Sequence, residues 1–134
     1  MGKETLTVAG RYLEAWCRLD PEAMLAELAE DVVMEFPVAP GDIPRRFEGK
    51  TAFAGMVRPM TGHFAPGSAG KLNALRAEAD DERAVAEYTF EGHTADGRPY
   101  TNTYVNLLRV RNGKIVESKE FFDAVAVAQM RAGR

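Results

Sequence analysis

The sequence predicts an α+β fold, with helices gathered in the first half and a β-meander in the second. Three observations carry this. Apolar residues recur every three to four positions up to about residue 64. They alternate every two positions from about residue 71 onward. Asp96-Gly97 and Asn112-Gly113 are tight-turn pairs set between alternating runs.

Each element has a local reason. Val8, Tyr12, Leu13 and Trp16 share one helical face, which predicts a helix over residues 5–19. Asp20-Pro21 reads as an N-cap followed by proline at the first helical position. That opens a second helix through Met24, Leu25 and Leu28. Residues 31–36 are β-branched and alternating, a short strand stopped by Pro37. A Pro- and Gly-rich loop covers residues 37–49. Phe53, Met56, Val57, Met60 and Phe64 mark a third helix, in which Pro59 predicts a kink or break near Arg58. Four strands follow over residues 71–80, 83–93, 99–110 and 114–123. No repeat or low-complexity tract divides the chain, and residues 1–134 read as one domain.

Turn type fixes register, and register decides which side chains share a face. A two-residue Asp96-Gly97 turn pairs Ala95 with Arg98, and so sets Glu87 against Asn106, Thr89 against Tyr104 and Glu91 against Asn102. The second hairpin admits a two-residue turn or a three-residue turn with a glycine bulge. The bulged form is favoured because it sets Tyr104 against Glu120 and Asn106 against Ser118. One face then holds Glu87, Thr89, Glu91, Asn102, Tyr104, Asn106, Ser118, Glu120 and Phe122. The other holds Ala86, Tyr88, Phe90, Val105, Leu107, Ile115 and Phe121. Two readings follow: the polar face meets solvent, or it lines a pocket under the helices while the apolar face meets a second subunit.

Composition removes several function classes. Apolar residues make up 46% and charged residues 28%, as in an ordinary globular protein. The 17 basic and 20 acidic residues are interspersed, so no basic stripe exists for nucleic acid. The single cysteine, Cys17, forms no intrachain disulfide and no thiolate zinc site, and it reads as a buried structural thiol. Two histidines, His63 and His93, are too few for an all-imidazole metal site. Residues 124–128, small and apolar, fall far short of a membrane span. Lys3 and Glu4 precede no apolar signal-peptide core, so a cytoplasmic location is expected. Pro44…Gly49-Lys50-Thr51 nearly spells a phosphate-binding loop, but a proline at its first position offers no N–H to phosphate.

The helix–helix–strand–helix–meander order resembles the nuclear transport factor 2-like superfamily, especially SnoaL-like polyketide cyclases and ketosteroid isomerases. Carrying segments are Arg11-Tyr12-Leu13, residues 28–37 into the first strand, Phe47-Glu48-Gly49-Lys50, residues 97–102, and Asn112-Gly113-Lys114-Ile115 with Glu120-Phe121-Phe122-Asp123. The resemblance implies a cone, in which a curved antiparallel sheet wrapped by helices encloses a ligand cavity. It thereby favours the pocket reading of the polar face. It also puts Tyr12 where ketosteroid isomerases keep an oxyanion-hole tyrosine, and Asn106 where they keep a protonated aspartic acid. Phe36 falls on their general-base aspartate, so that mechanism does not transfer intact. Glu120 is similar to the last-strand carboxylate that moves protons in SnoaL-like cyclases, phenazine-biosynthesis relatives and limonene epoxide hydrolases. His63 roughly matches a pocket histidine of the phenazine relatives.

The candidate catalytic residues are therefore Glu120, Tyr12, Asn106, Tyr104, Glu87 and His63. Desolvation under an aromatic helix face would raise the Glu120 carboxyl toward neutrality, and tyrosines or an amide would stabilise an enolate oxygen. Expected substrate contacts are Trp16, Phe36, Phe53, Met56, Met60, Thr89, Asn102, Ser118 and Phe122. The expected chemistry is cyclisation, isomerisation or dehydration of a small apolar carbonyl-bearing metabolite, in specialised metabolism, with no cofactor and no metal. Two alternatives stay open: epoxide hydrolysis by a water held between Glu120 and Glu87 or Asn106, and a non-catalytic ligand-binding or dimerisation module. Tyr88, Phe90, Val105, Leu107, Ile115 and Phe121 would leave an apolar outer sheet face, which predicts a homodimer. A small apolar organic ligand is the other expected partner, with no nucleic acid and no membrane.

Overall fold

The computed structural model describes residues 2–132. Helix α1 spans Lys3–Cys17, α2 spans Pro21–Ala26 and strand β1 covers Leu28–Glu35. Strand β2 (Arg46–Glu48) and helix α3 (Lys50–Met60) follow, and a 3₁₀ turn covers Thr61–His63. Strands β3 (Ala69–Ala77), β4 (Arg83–His93), β5 (Pro99–Arg111) and β6 (Lys114–Phe122) then precede helix α4 (Ala124–Ala132). The result is an α+β fold with a six-stranded curved sheet ordered β2-β1-β6-β5-β4-β3. Four of the five strand pairs are antiparallel, and β1 runs parallel to β6.

The helices obey their local signals. Val8, Tyr12, Leu13 and Trp16 are all buried on one side of α1. The Asp20 side chain accepts from the Ala23 N–H at 3.1 Å, with Pro21 at the start of α2. Pro59 does not break α3 near Arg58. It sits one residue before the end, and the chain tightens into the 3₁₀ turn only after Met60. Phe64 leaves the helix altogether and bridges Thr94. Helix α4 was not foreseen, since its Ala/Val run has little amphipathic pattern, and β2 is a three-residue strand inside the expected loop.

Both hairpins correct the expected register, with opposite consequences. At the first, the loop is one residue longer than expected: Thr94 N–H donates to the Arg98 carbonyl at 2.8 Å, and Gly97 takes φ +90°. Glu87 therefore pairs with Val105, Thr89 with Thr103, and Tyr88 with Tyr104. A one-residue slip exchanges the faces of β4. Tyr88 and Phe90 turn into the core, whereas Glu87 and Thr89 turn outward. At the second, Asn112 and Gly113 form a two-residue turn at φ 53° and 76°, and Val116 is the extra residue of a bulge on β6. Asn106 then opposes Glu120, and Tyr104 opposes Phe122. That is a two-residue slip, so Ser118, Glu120 and Phe122 keep the inner face. Ile115 pairs with Val110 and is fully buried, so it too leaves the outer face.

Helix α1 lies across the inner face of β3 to β5, and glycine permits its closest approach. A Cβ on Gly70 would sit 2.7 Å from Cζ3 of Trp16 and 3.0 Å from Sγ of Cys17. Gly70→Ala should therefore lower stability by about 1–3 kcal/mol, since neither the indole nor the helix backbone has room to retreat. Urea unfolding measures this; an unchanged midpoint would mean that α1 is free to slide along the sheet.

Candidate active site

A cavity of about 650 Å³ lies between the inner sheet face and helices α1, α3 and α4. Trp16 forms one wall, its ring edge-on to Tyr88 and Tyr104 at centroid distances of 4.7 and 4.8 Å. Phe36, Phe53, Met56 and Met60 line the cavity from β1 and α3, and Phe122 from β6. Helix α4 adds Val127 and Met130 at the mouth. Two arginines hold that helix. Arg98 donates to the Met130 carbonyl at 3.0 Å, and Arg131 pairs with Asp42 at 2.9 Å.

Glu120 is the carboxylate on the cavity floor, 7% exposed. Tyr88 O–H donates to its Oε2. Asn106 Nδ2 donates to the Tyr88 oxygen at 3.2 Å, and Ser118 Oγ donates to Asn106 Oδ1 at 2.9 Å. Three donors thus run in series toward one carboxyl oxygen, while Oε1 has no partner among the described residues and opens on the cavity. Burial pushes the Glu120 carboxyl up to about 7, against the Tyr88 hydrogen bond, which pulls it down. Desolvation and then the Glu120 charge raise the Tyr12 and Tyr88 phenols well above their ordinary value; desolvation also raises Tyr100 and Tyr104. Near neutrality the cavity therefore presents protonated phenols and one carboxyl poised to gain or lose a proton.

The expected residues sort clearly. Tyr12, Tyr104, Ser118, Trp16, Phe36, Phe53, Met56, Met60, Phe122 and Glu120 all line the cavity. His63 lies on its rim and is exposed. Asn106 is 1% exposed and lies behind the wall, where its amide holds Tyr88 and not a ligand. Asn102 is likewise behind the wall, bonded to Tyr100 and to the backbone of Thr103 and Asp123. Glu87 and Thr89 do not belong to the site. The longer first turn carries both to the outer face, where Thr89 Oγ1 accepts from Asn73 at 3.4 Å. Tyr88 and Tyr100 were missed. Tyr100 was accessible by parity, two and four residues before Asn102 and Tyr104; Tyr88 needed the true turn length. Among the described residues, no three His, Cys, Asp or Glu side chains gather as metal ligands would.

Sequence and structure comparisons agree with this architecture. The SnoaL-like domain family matches residues 9–118, and the chain belongs to that family, within the nuclear transport factor 2-like superfamily. The uncharacterized protein YesE of Bacillus subtilis (strain 168) is 30% identical over 105 residues, covering 78% of this chain and 71% of YesE. A crystal structure of a proposed isomerase from Bacillus subtilis superposes with a TM-score of 0.87 at 22% identity, covering 98% of this chain and 95% of that one. A proposed polyketide cyclase from Xanthomonas campestris pv. campestris gives 0.74 at 26% identity, covering 96% and 97%.

The raised Glu120 carboxyl has a consequence for stability. Between the ordinary carboxyl value of 4.5 and about 7, the folded state binds more protons than the unfolded state. Stability contributed by the protonated side chain is complete below 4.5 and is lost as pH rises through 7. The loss is on the order of 3 kcal/mol. Glu120→Gln should remove this slope, so urea midpoints of variant and wild type should diverge with rising pH, the variant being the more stable above pH 7. Parallel curves from pH 4 to 8 would place the carboxyl at an ordinary value.

Proposed function

We propose that this protein catalyses cofactor-free proton transfer on a small, largely apolar carbonyl compound, with Glu120 as the acid–base group. One observation carries the reading: the one buried carboxyl among the described residues, raised to about 7, opens one oxygen onto a cavity walled by aromatic and methionine side chains. The Glu120 carboxylate takes a proton from the carbon next to the carbonyl, and the C–H electron pair becomes an enolate. The negative charge develops on the carbonyl oxygen. Tyr12 is the donor for it: its hydroxyl lines the cavity and donates to no protein acceptor among the described residues. A preorganised donor in a dry site stabilises such charge far better than water does. Returning the proton to a different carbon is an isomerisation. Expelling a β-hydroxyl with that proton is a dehydration, and attack of the enolate carbon on a second carbonyl is a cyclisation.

Tyr88, Asn106 and Ser118 are positioning residues in this scheme. They hold Oε2 so that Oε1 meets the substrate. Epoxide hydrolysis is less well supported, although an epoxide-hydrolase-like protein of M. tuberculosis shares the fold with a TM-score of 0.70 at 20% identity. Neither anchor expected to share a water with Glu120 is in place, since Glu87 faces outward and Asn106 is committed to Tyr88 and Ser118. The other carboxylates lining the cavity, Asp42 and Asp96, are paired with Arg131 and Arg98 at its mouth.

Proton transfer can be read without the natural substrate. The wild-type protein should accelerate exchange of the α-protons of 2-tetralone in D₂O, followed by proton NMR. Glu120→Gln should slow the exchange about a hundredfold, and Tyr12→Phe by about tenfold or more. Exchange at the buffer rate with wild type, or equal exchange by all three proteins, would leave a ligand-binding module without chemistry.

We also propose a homodimer through the outer sheet face, on a smaller patch than the sequence suggested. Val105 and Leu107 are 36% and 38% exposed on that face, and Phe121, partly buried, pairs with Val105. Val105→Asp would set a charge in the centre of such an interface. It should halve the mass seen by light scattering; a wild type that is monomeric at every concentration removes the proposal.

A further inference from the structure

A second polar feature of the cavity has no part in the chemistry above. Tyr100 and Tyr104 hydroxyl oxygens lie 2.7 Å apart, both residues are buried, and both line the cavity. Their protons can be counted. Asn102 Oδ1 accepts from the backbone N–H groups of Thr103 at 2.8 Å and Asp123 at 2.9 Å. Main-chain nitrogens only donate, so the orientation of this amide is fixed. Its Nδ2 must then donate, and it does so to the Asp123 carbonyl at 3.1 Å and to the Tyr100 oxygen at 2.8 Å. Tyr100 is thus an acceptor from Asn102. The bond between the two phenols consumes one of their two protons. The other finds no protein acceptor among the described residues, and the remaining side available to it is the cavity.

The position of this leftover donor is informative. Tyr104 stands directly opposite Tyr88 in the β4–β5 ladder, and their rings stack at 5.4 Å with an interplanar angle of 7°. Tyr88 holds Glu120. The Glu120 end and the Tyr100–Tyr104 end are carried by the adjacent strands β6 and β5 and line the same cavity. A ligand with one oxygen satisfies one end and strands the other against an apolar wall, which costs affinity.

We propose that the Tyr100–Tyr104 pair is a second ligand-oxygen site, and that the substrate class is an apolar skeleton bearing two acceptor oxygens. This rests on the acid–base reading for the identity of the first oxygen site, at Tyr12 and Glu120. Asn102 is a positioning residue that presets the phenol pair as a donor.

Two probes without exchangeable α-protons test it by binding alone: 2,2-dimethyl-1,3-indanedione and 2,2-dimethyl-1-indanone, titrated by calorimetry at pH 6. Wild type should bind the dione at least tenfold more tightly than the monoketone. The double variant Tyr100→Phe/Tyr104→Phe keeps both rings and should reduce that preference to about twofold or less, with the monoketone affinity little changed. Equal affinities in wild type, no binding of either probe, or a preference retained by the double variant would each overturn the proposal. Because neither probe reacts, failure of Glu120 as a base leaves this outcome intact. Glu120→Gln that exchanges protons as wild type does, beside a preserved dione preference, would sink the acid–base reading alone.

Discussion

The hydrogen bond from Tyr88 to Glu120 is the contact on which the inner face depends. A carboxyl taken out of water needs a partner, and the cost of leaving one buried without it exceeds the net worth of most single interactions. Tyr88 supplies that partner only if it points inward, directly opposite Tyr104. Asn106 reaches Tyr88 from the adjacent strand, and Ser118 reaches Asn106 from the next. Each group is thereby both oriented by its neighbour and obliged to orient the following one. Loss of any link would leave a buried polar atom unpaired, at about 1–3 kcal/mol. The register of β4, β5 and β6 and the state of the carboxyl are one constraint seen from two sides.

The cavity above this floor stays open because its walls are stiff. Trp16 is edge-on to both Tyr88 and Tyr104, and Phe64, Phe90 and Tyr100 form a second aromatic cluster toward the mouth. Aromatic rings bury much area with few rotatable bonds, so they brace a void that aliphatic side chains would collapse into. Helix α4 adds Val127 and Met130 to the rim, and its two arginine contacts tie it to the β4–β5 turn and to the loop before β2. Tight α1 packing at Gly70 holds Trp16, a cavity wall, against the sheet.

Much of this was legible in the sequence, and the misses have identifiable causes. Helical spacing placed Tyr12 and Trp16 on the buried face of α1, and the Asp20-Pro21 cap starts α2 as read. Glu120 was placed on the inner face although its cross-strand partner was wrong, because a slip of two residues preserves the face. Glu87 failed for the complementary reason. One extra loop residue, Ala95-Asp96-Gly97 in place of Asp96-Gly97, inverts β4 and exchanges Glu87 for Tyr88. A turn pair such as Asp-Gly marks where a hairpin closes, and its loop length depends on which backbone groups bond across it. Helix α4 carries too little apolar periodicity to be separated from a tail.

The outward placement of Glu87 bears on what chemistry remains possible. An inner face with two carboxylates would divide acid and base between them, on opposite sides of a bound molecule. Here one carboxyl serves the sheet side, and Asp42, Asp96 and His63 stand at the mouth, away from the floor. On the proposed reading the proton is taken and returned by the same oxygen, and so on the same face of the substrate. Glu120 must then act as base in one half of the cycle and acid in the other. A carboxyl near 7 suits that alternation, since neither form is far from its working population at neutral pH. An ordinary surface glutamate would hold the proton too weakly to return it.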